Sequence, residues 1–181
     1  MSRSRMGPVR QFLADTAASQ VAEAALVLPL VFMMLLGIYW FGRAFNIYAT
    51  INHAAREAAR AGAAQTCASC GNAHISTVQG TAIIDAILQA SSVDPNQIIL
   101  HDPTPQPCPI PGFTMERNVL GSNNNVLYYN YALLTPVGSP YPPVCGVRVT
   151  FQYPYQFWLP FTSLNRQQII LTADVQMKGE Y

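Results

Sequence analysis

Charge is scarce in this chain. Of 181 residues only 10 are Lys or Arg and 9 are Asp or Glu, so 10% are charged, against about a quarter in ordinary soluble domains. The net charge of +1 provides no cationic field to hold a phosphate backbone, and no nucleic-acid partner is expected. The 3 histidines, His53, His74 and His101, stand far apart. No G-x-S-x-G, H-E-x-x-H or glycine-rich phosphate loop occurs, and no Ser/His/Asp grouping has local motif support. The expectation is a protein that is not an enzyme, with no catalytic residues, no metal and no cofactor. There is no internal repeat, and the length suits one modest core once an anchor is set aside.

What the chain has is apolar length. Half of its residues are hydrophobic, and no charge interrupts the run from Ala24 to Phe41. That run is about 18 residues long, where a secretory signal core has about 7–15. No small-x-small cleavage site closes it, so an uncleaved anchor is the better reading than a signal peptide. Arg3, Arg5 and Arg10 precede the run, with Asp15 the one acid before Glu23. The positive-inside rule then places the N-terminus in the cytoplasm and the chain after about residue 46 outside it. Glu23 heads the run, although a charge at the centre of a spanning helix costs about 2.5–3.5 kcal/mol on insertion scales.

Residues 1–15 read as a cytoplasmic tail and 16–64 as one long helix, spanning the membrane over about 22–45. In its second half Ile47, Ile51, Ala54, Ala55 and Ala58 recur at helical spacing, a face of mostly small residues that a sheet can approach closely. Pro29 removes one helical hydrogen bond, and Gly62 is the expected terminator. Residues 65–181 form an extracytoplasmic α+β domain packed on the outer half of that helix. In it, Cys67–Asn72 reads as a turn and Ser76–Ala90 as a second helix burying Val78, Ala82, Ile83, Ala86 and Ile87. Ile98–Leu100 is a short strand candidate, and Asp102–Gly112 is too proline-rich for regular structure. Period-two alternation marks strands at Val147–Tyr153 and Ile169–Lys178, with a weaker one at Leu127–Leu134 and a polar turn at Gly121–Asn125. The fold class is α+β: a single-pass N-terminal helix continuing onto a small antiparallel sheet, plus one additional helix.

Glu23, the ALVLP stretch Ala25–Pro29, the GRAF exit Gly42–Phe45 and the HAAREAARAGA helix His53–Ala63 together resemble the TadE-like minor pseudopilins of tight-adherence (Flp-type) pilus systems. VRVTFQYPY and the final LTADVQM strand are also similar to that family's closing pair. The resemblance implies a pilin-like architecture in a bacterial inner membrane and a non-catalytic role in pilus assembly and secretion. It implies as partners a companion minor pseudopilin, the major pilin, the inner-membrane assembly platform and prepilin peptidase. It also implies an assembly role for Glu23, whose carboxylate would pair with a neighbouring subunit's N-terminal amine so that neither charge is alone in a low-dielectric layer. Cleavage would fall between Ala18 and Ser19, where Ala18 replaces the usual Gly and Ala24 stands where an aromatic is common.

Cys67, Cys70, Cys108 and Cys145 all fall on the oxidising side of the expected topology, where disulfides persist. Cys67–Cys70 and Cys108–Cys145 are the favoured pairs. Zinc or a redox pair at Cys67-x-x-Cys70 lacks the right context, because no strand precedes it and the fourth ligand would be distant. His53 and Glu57 could pair along the helix surface, and Arg56, Glu57 and Arg60 read as a solvated strip. The aromatic segment from Tyr153 to Leu164 either folds over the sheet or exposes Phe157, Trp158 and Phe161 as a partner patch. The rival to pilus assembly is a membrane-tethered extracytoplasmic binding or sensing domain.

Overall fold

The computed structural model describes residues 16–64, 77–112, 114–121, 123, 125–156 and 168–179. Cys67, Cys70, His74, Phe157, Trp158, Phe161 and the 1–15 tail lie outside these residues, as do the side chains of Ala18 and Ser19 and the Val78 side chain. The architecture is α+β: a helix α1 (Thr16–Ala63), a helix α2 (Thr77–Ala90), then strands β1 (Glu116–Leu120), β2 (Val126–Leu133), β3 (Cys145–Gln156) and β4 (Gln168–Lys178). The chain divides into two compact units, Met1–Arg43 and Ala44–Tyr181.

In the first unit α1 is exposed almost all round. Leu26, Phe32, Met34 and Ile38 are each more than half exposed. Apolar side chains in such numbers cannot face water without a large cost, so lipid is their natural solvent. This is the one helix among the described residues long and apolar enough to span a membrane. Pro29 sits inside it, leaving the Ala25 carbonyl without its usual N–H partner. Such a loss is tolerated in spanning helices.

The second unit is a meander sheet in the order β1-β2-β3-β4, antiparallel throughout. Ile47, Ile51, Ala54, Ala55 and Ala58 of α1 are buried in it, as the spacing predicts, and Ala59 is buried with them. Gly62 is not the terminator, because α1 runs on to Ala63. Its absent side chain has another use. A Cβ there would lie 3.1 Å from Tyr128 Cε1 and 3.2 Å from Val147 Cγ1. Gly80 of α2 meets the other edge of the same ring, at 3.2 Å from Cε2. Tyr128 thus inserts between two helices at two glycines, and its hydroxyl donates to the Ala58 carbonyl. Burial pushes the Tyr128 hydroxyl well above the usual phenol range.

α2 starts at Thr77, and its buried face differs from the expected one. Gly80, Ile84 and Leu88 are buried, whereas Ala82 and Ala86 are exposed and Ile83 and Ile87 half-buried. Apolar residues surround this helix, so the sequence leaves its rotation open; close approach at Gly80 decides it.

The irregular segment after α2 is stitched across the far face of the sheet, away from α1. Ile99 bridges Gln152 of β3, in place of the expected short strand, and Pro107 bridges Ala132 of β2. Cys108 N–H donates to Tyr131 O at 3.0 Å, and Leu133 N–H to Gln106 O at 2.9 Å. A register shift between Tyr129 and Ala132 bulges β2 there, with Tyr131 at φ 56°. Cys108 and Cys145 are joined as a disulfide, their Cα atoms 5.7 Å apart, and pack with Tyr131.

Candidate assembly segment and the far face of the sheet

Glu23 stands on exposed α1, and among the described residues nothing forms an ion pair or hydrogen bond with it. At 1.5 Å per residue, about 26 Å of helix separates it from Trp40, close to the thickness of a hydrocarbon core of about 30 Å. At that other end Tyr39 and Trp40 pack edge to face with centroids 5.4 Å apart, and the Arg43 guanidinium lies 6.0 Å from the Trp40 ring centre. Aromatic rings with a cation beside them suit the membrane–water boundary. The uncharged stretch is therefore bounded by an acid at one end and an aromatic–cation cluster at the other.

On the sheet's far face, pairs across the strands bring Arg117, Tyr129 and Arg148 into one row. Asp102 closes over it: the Tyr129 hydroxyl donates to one carboxylate oxygen, and Arg117 Nη2 lies 2.8 Å from the other. The Tyr129 hydrogen bond first, and the Arg117 guanidinium after it, hold the Asp102 carboxyl below the usual carboxylate range. Burial, with Asp102 adding to it, pushes the Tyr129 hydroxyl up. Arg148 clasps Asp174 bidentately, with Nε at 2.8 Å and Nη2 at 2.5 Å. Gln152 donates to Thr172 Oγ1 at 3.2 Å and lies 3.1 Å from His101 Nδ1. Nothing in the local pattern around Tyr129 or Asp102 signals this row, because its partners are distant in sequence.

In this row each carboxylate is committed to a guanidinium, Asp102 to Arg117 and Asp174 to Arg148. Among the described residues no three His, Cys, Asp or Glu side chains are grouped to hold a metal ion. His53 and Glu57, a pair suggested by their spacing, do not bond to one another. A shallow groove of about 420 Å³ lies between the end of α1 and α2, lined by Glu57, Arg60, Ala61, Ala64, Ile83 and Ile87. Of the sequence-predicted site residues, Glu23 is held on α1 and Cys108 is brought to Cys145; Glu23 is far along the chain from both.

Comparison of the chain with curated proteins and with solved structures returns no match. The segment that carries Glu23, the uncharged run and most of the Ala/Arg-rich helix, residues 14–60, matches the model of the TadE-like protein family, the family the sequence resembles.

Proposed function

We propose that this chain is a non-catalytic, minor pseudopilin-like component of a tight-adherence pilus assembly system. One observation carries the reading: a carboxylate, Glu23, with no partner among the described residues, at the head of an exposed and uncharged stretch of α1 within the segment that matches the TadE-like model. In lipid such a charge is costly unless a partner neutralises it. A neighbouring subunit's N-terminal amine is a fitting partner, because the pair is attractive only when both helices lie side by side at matching depth. Docking in the bilayer is then selected by register as well as by apolar contact.

In this scheme the basic N-terminus stays in the cytoplasm and the sheet lies on the extracytoplasmic side of a bacterial inner membrane. Prepilin peptidase cutting between Ala18 and Ser19 would free an amine close to Glu23. The companion minor pseudopilin, the major pilin and the inner-membrane platform are the partners the reading requires. Glu23→Ala should abolish or strongly reduce surface pili while leaving the level of the protein in the membrane unchanged, and Glu23→Asp should restore them in part. Normal piliation of Glu23→Ala cells would refute the assembly role of the carboxylate.

A further inference from the structure

β2 and β3 are joined by residues 134–144, LTPVGSPYPPV, which contain four prolines and no charge. The base of this connection is fixed. Leu134 N–H donates to Val144 O at 2.8 Å and Val144 N–H to Thr135 Oγ1 at 3.4 Å, and the next residue, Cys145, is tied to Cys108. Above the base, Ser139 N–H donates to Pro136 O at 3.1 Å and closes a turn whose third residue, Gly138, takes φ 82°. Tyr141 N–H then donates to Ser139 Oγ at 3.3 Å. Tyr141 and Pro142 each precede a proline, which holds both in extended, polyproline-II-like backbone.

The tip packs on nothing. Pro136, Val137, Pro140, Tyr141, Pro142 and Pro143 are all exposed. Val137 at 79% and Tyr141 at 76% are as exposed as Leu26, at 77%, in the stretch of α1 whose natural solvent is lipid. Apolar side chains clustered this way mark a contact surface.

The backbone decides which partner suits it. The carbonyls of Pro140, Tyr141, Pro142 and Pro143 accept no hydrogen bond among the described residues. Hydrocarbon would strip them of water and offer no donor in return, so lipid is a poor host. A protein groove with aromatic walls suits them, because indole and phenol donors can bond to these carbonyls while the walls receive the proline rings. The groove at the end of α1 cannot play this part in a second copy: its lining of Glu57, Arg60, Ala61, Ala64, Ile83 and Ile87 has no aromatic wall. Phe45 and Tyr48, exposed on α1 beyond Arg43, stand on a convex helix surface.

We propose that the 141–143 tip docks in an aromatic-lined groove of a different protein, with Tyr141 as its anchor and Val137 at the rim. The prolines, the turn and the pinned base leave the tip little freedom to lose on binding, which favours affinity from a small contact. The inference goes beyond the assembly reading and stands apart from it, since it uses neither Glu23 nor the helix that carries it.

The test is photocrosslinking of the full chain in the cells that make it, with p-benzoyl-phenylalanine placed at Val137 or Tyr141 and, as a control, at exposed Gln89. The expected result is a product at both tip positions and not at the control, mapped by mass spectrometry to one other protein at residues beside a tryptophan or tyrosine. Tyr141→Ala should lower the Val137 yield about tenfold, the loss of an anchoring ring. Pro142→Ala combined with Pro143→Ala keeps that ring but frees the backbone, and should lower the yield severalfold. Intact Cys108–Cys145 pairing on non-reducing gels verifies folding of both variants. No tip-specific product, a product with phospholipid, a product joining two copies, attachment away from any aromatic side chain, or a yield unmoved by either folded variant would each overturn the proposal.

Discussion

Alanine at Gly80 sets two effects of opposite sign against each other. Inside a helix, Gly→Ala is worth about 0.5–1 kcal/mol of stabilisation. The new methyl would sit 3.2 Å from Tyr128 Cε2 and 3.3 Å from Cζ, closer than ordinary contact. The ring cannot retreat, because a glycine of α1 bounds its other edge and its hydroxyl is held by the Ala58 carbonyl. Overpacking of a fixed core side chain costs about 1–3 kcal/mol, so Gly80→Ala should destabilise on balance by about 1 kcal/mol. Gly62→Ala should behave alike. The double variant should lose more than the sum, since each methyl removes the space into which the other would push the ring. In a Tyr128→Leu background the ring is gone, and Gly80→Ala should turn neutral or stabilising. Urea unfolding of the full chain in detergent micelles, followed by tryptophan fluorescence and by circular dichroism, gives the cycle. Stabilisation by Gly80→Ala in the otherwise unchanged protein, or strict additivity with Gly62→Ala, would show that Tyr128 is not held between the helices.

Replacing both Cys108 and Cys145 by Ser opens a loop with a sequence separation of 37. In the loop-entropy model this costs about 4 kcal/mol; a loss under about 1 kcal/mol in the same urea assay contradicts that account. Thr150 is 0% exposed, and its Oγ1 has no hydrogen-bond partner among the described residues. Thr150→Val, equal in shape and favoured in strands, should therefore raise the melting temperature, with a gain of about 1 kcal/mol; destabilisation would mean that the hydroxyl is satisfied. The Asp102 carboxyl is held below its unfolded value, so its contribution is present above the unfolded pKa and disappears as pH falls through the folded one. Acid melts should show that dependence in the native chain and a weaker one in Tyr129→Phe, whereas identical profiles would remove Tyr129 as the main cause.

Much of this fold is legible in the sequence where one periodicity dominates. The small-residue face of α1 reads directly from Ile47 to Ala58, and the alternations of β3 and β4 survive because only one of their faces meets the helix. β1 escapes notice: five residues beginning Glu-Arg-Asn offer no alternation, and their pairing with β2 is what makes them a strand. The rotation of α2 is illegible because Ala82, Ile83, Ile84, Ala86, Ile87 and Leu88 supply apolar atoms on every side; Gly80 carries the information by lacking a side chain. At the candidate assembly segment the sequence yields Glu23 and its apolar run unaided. It does not yield Asp102 over Tyr129, a contact that joins elements 27 residues apart. Cys108 with Cys145 is the pairing the sequence suggests, but the β2 bulge that seats it is not visible there.

The two faces of this sheet answer to different demands. Beneath α1, glycines, alanines and the Tyr128 ring interlock at contact distance, and almost any enlargement there must be compensated elsewhere. On the reverse side an irregular ribbon is fastened at separate points: one bridge at Ile99, another at Pro107, a covalent link at Cys108 and a clasp at Asp102. Between such rivets the ribbon can lengthen, shorten or exchange residues at little energetic consequence. Diversification should therefore accumulate on the riveted side, leaving the helix-bearing side free to keep one docking geometry.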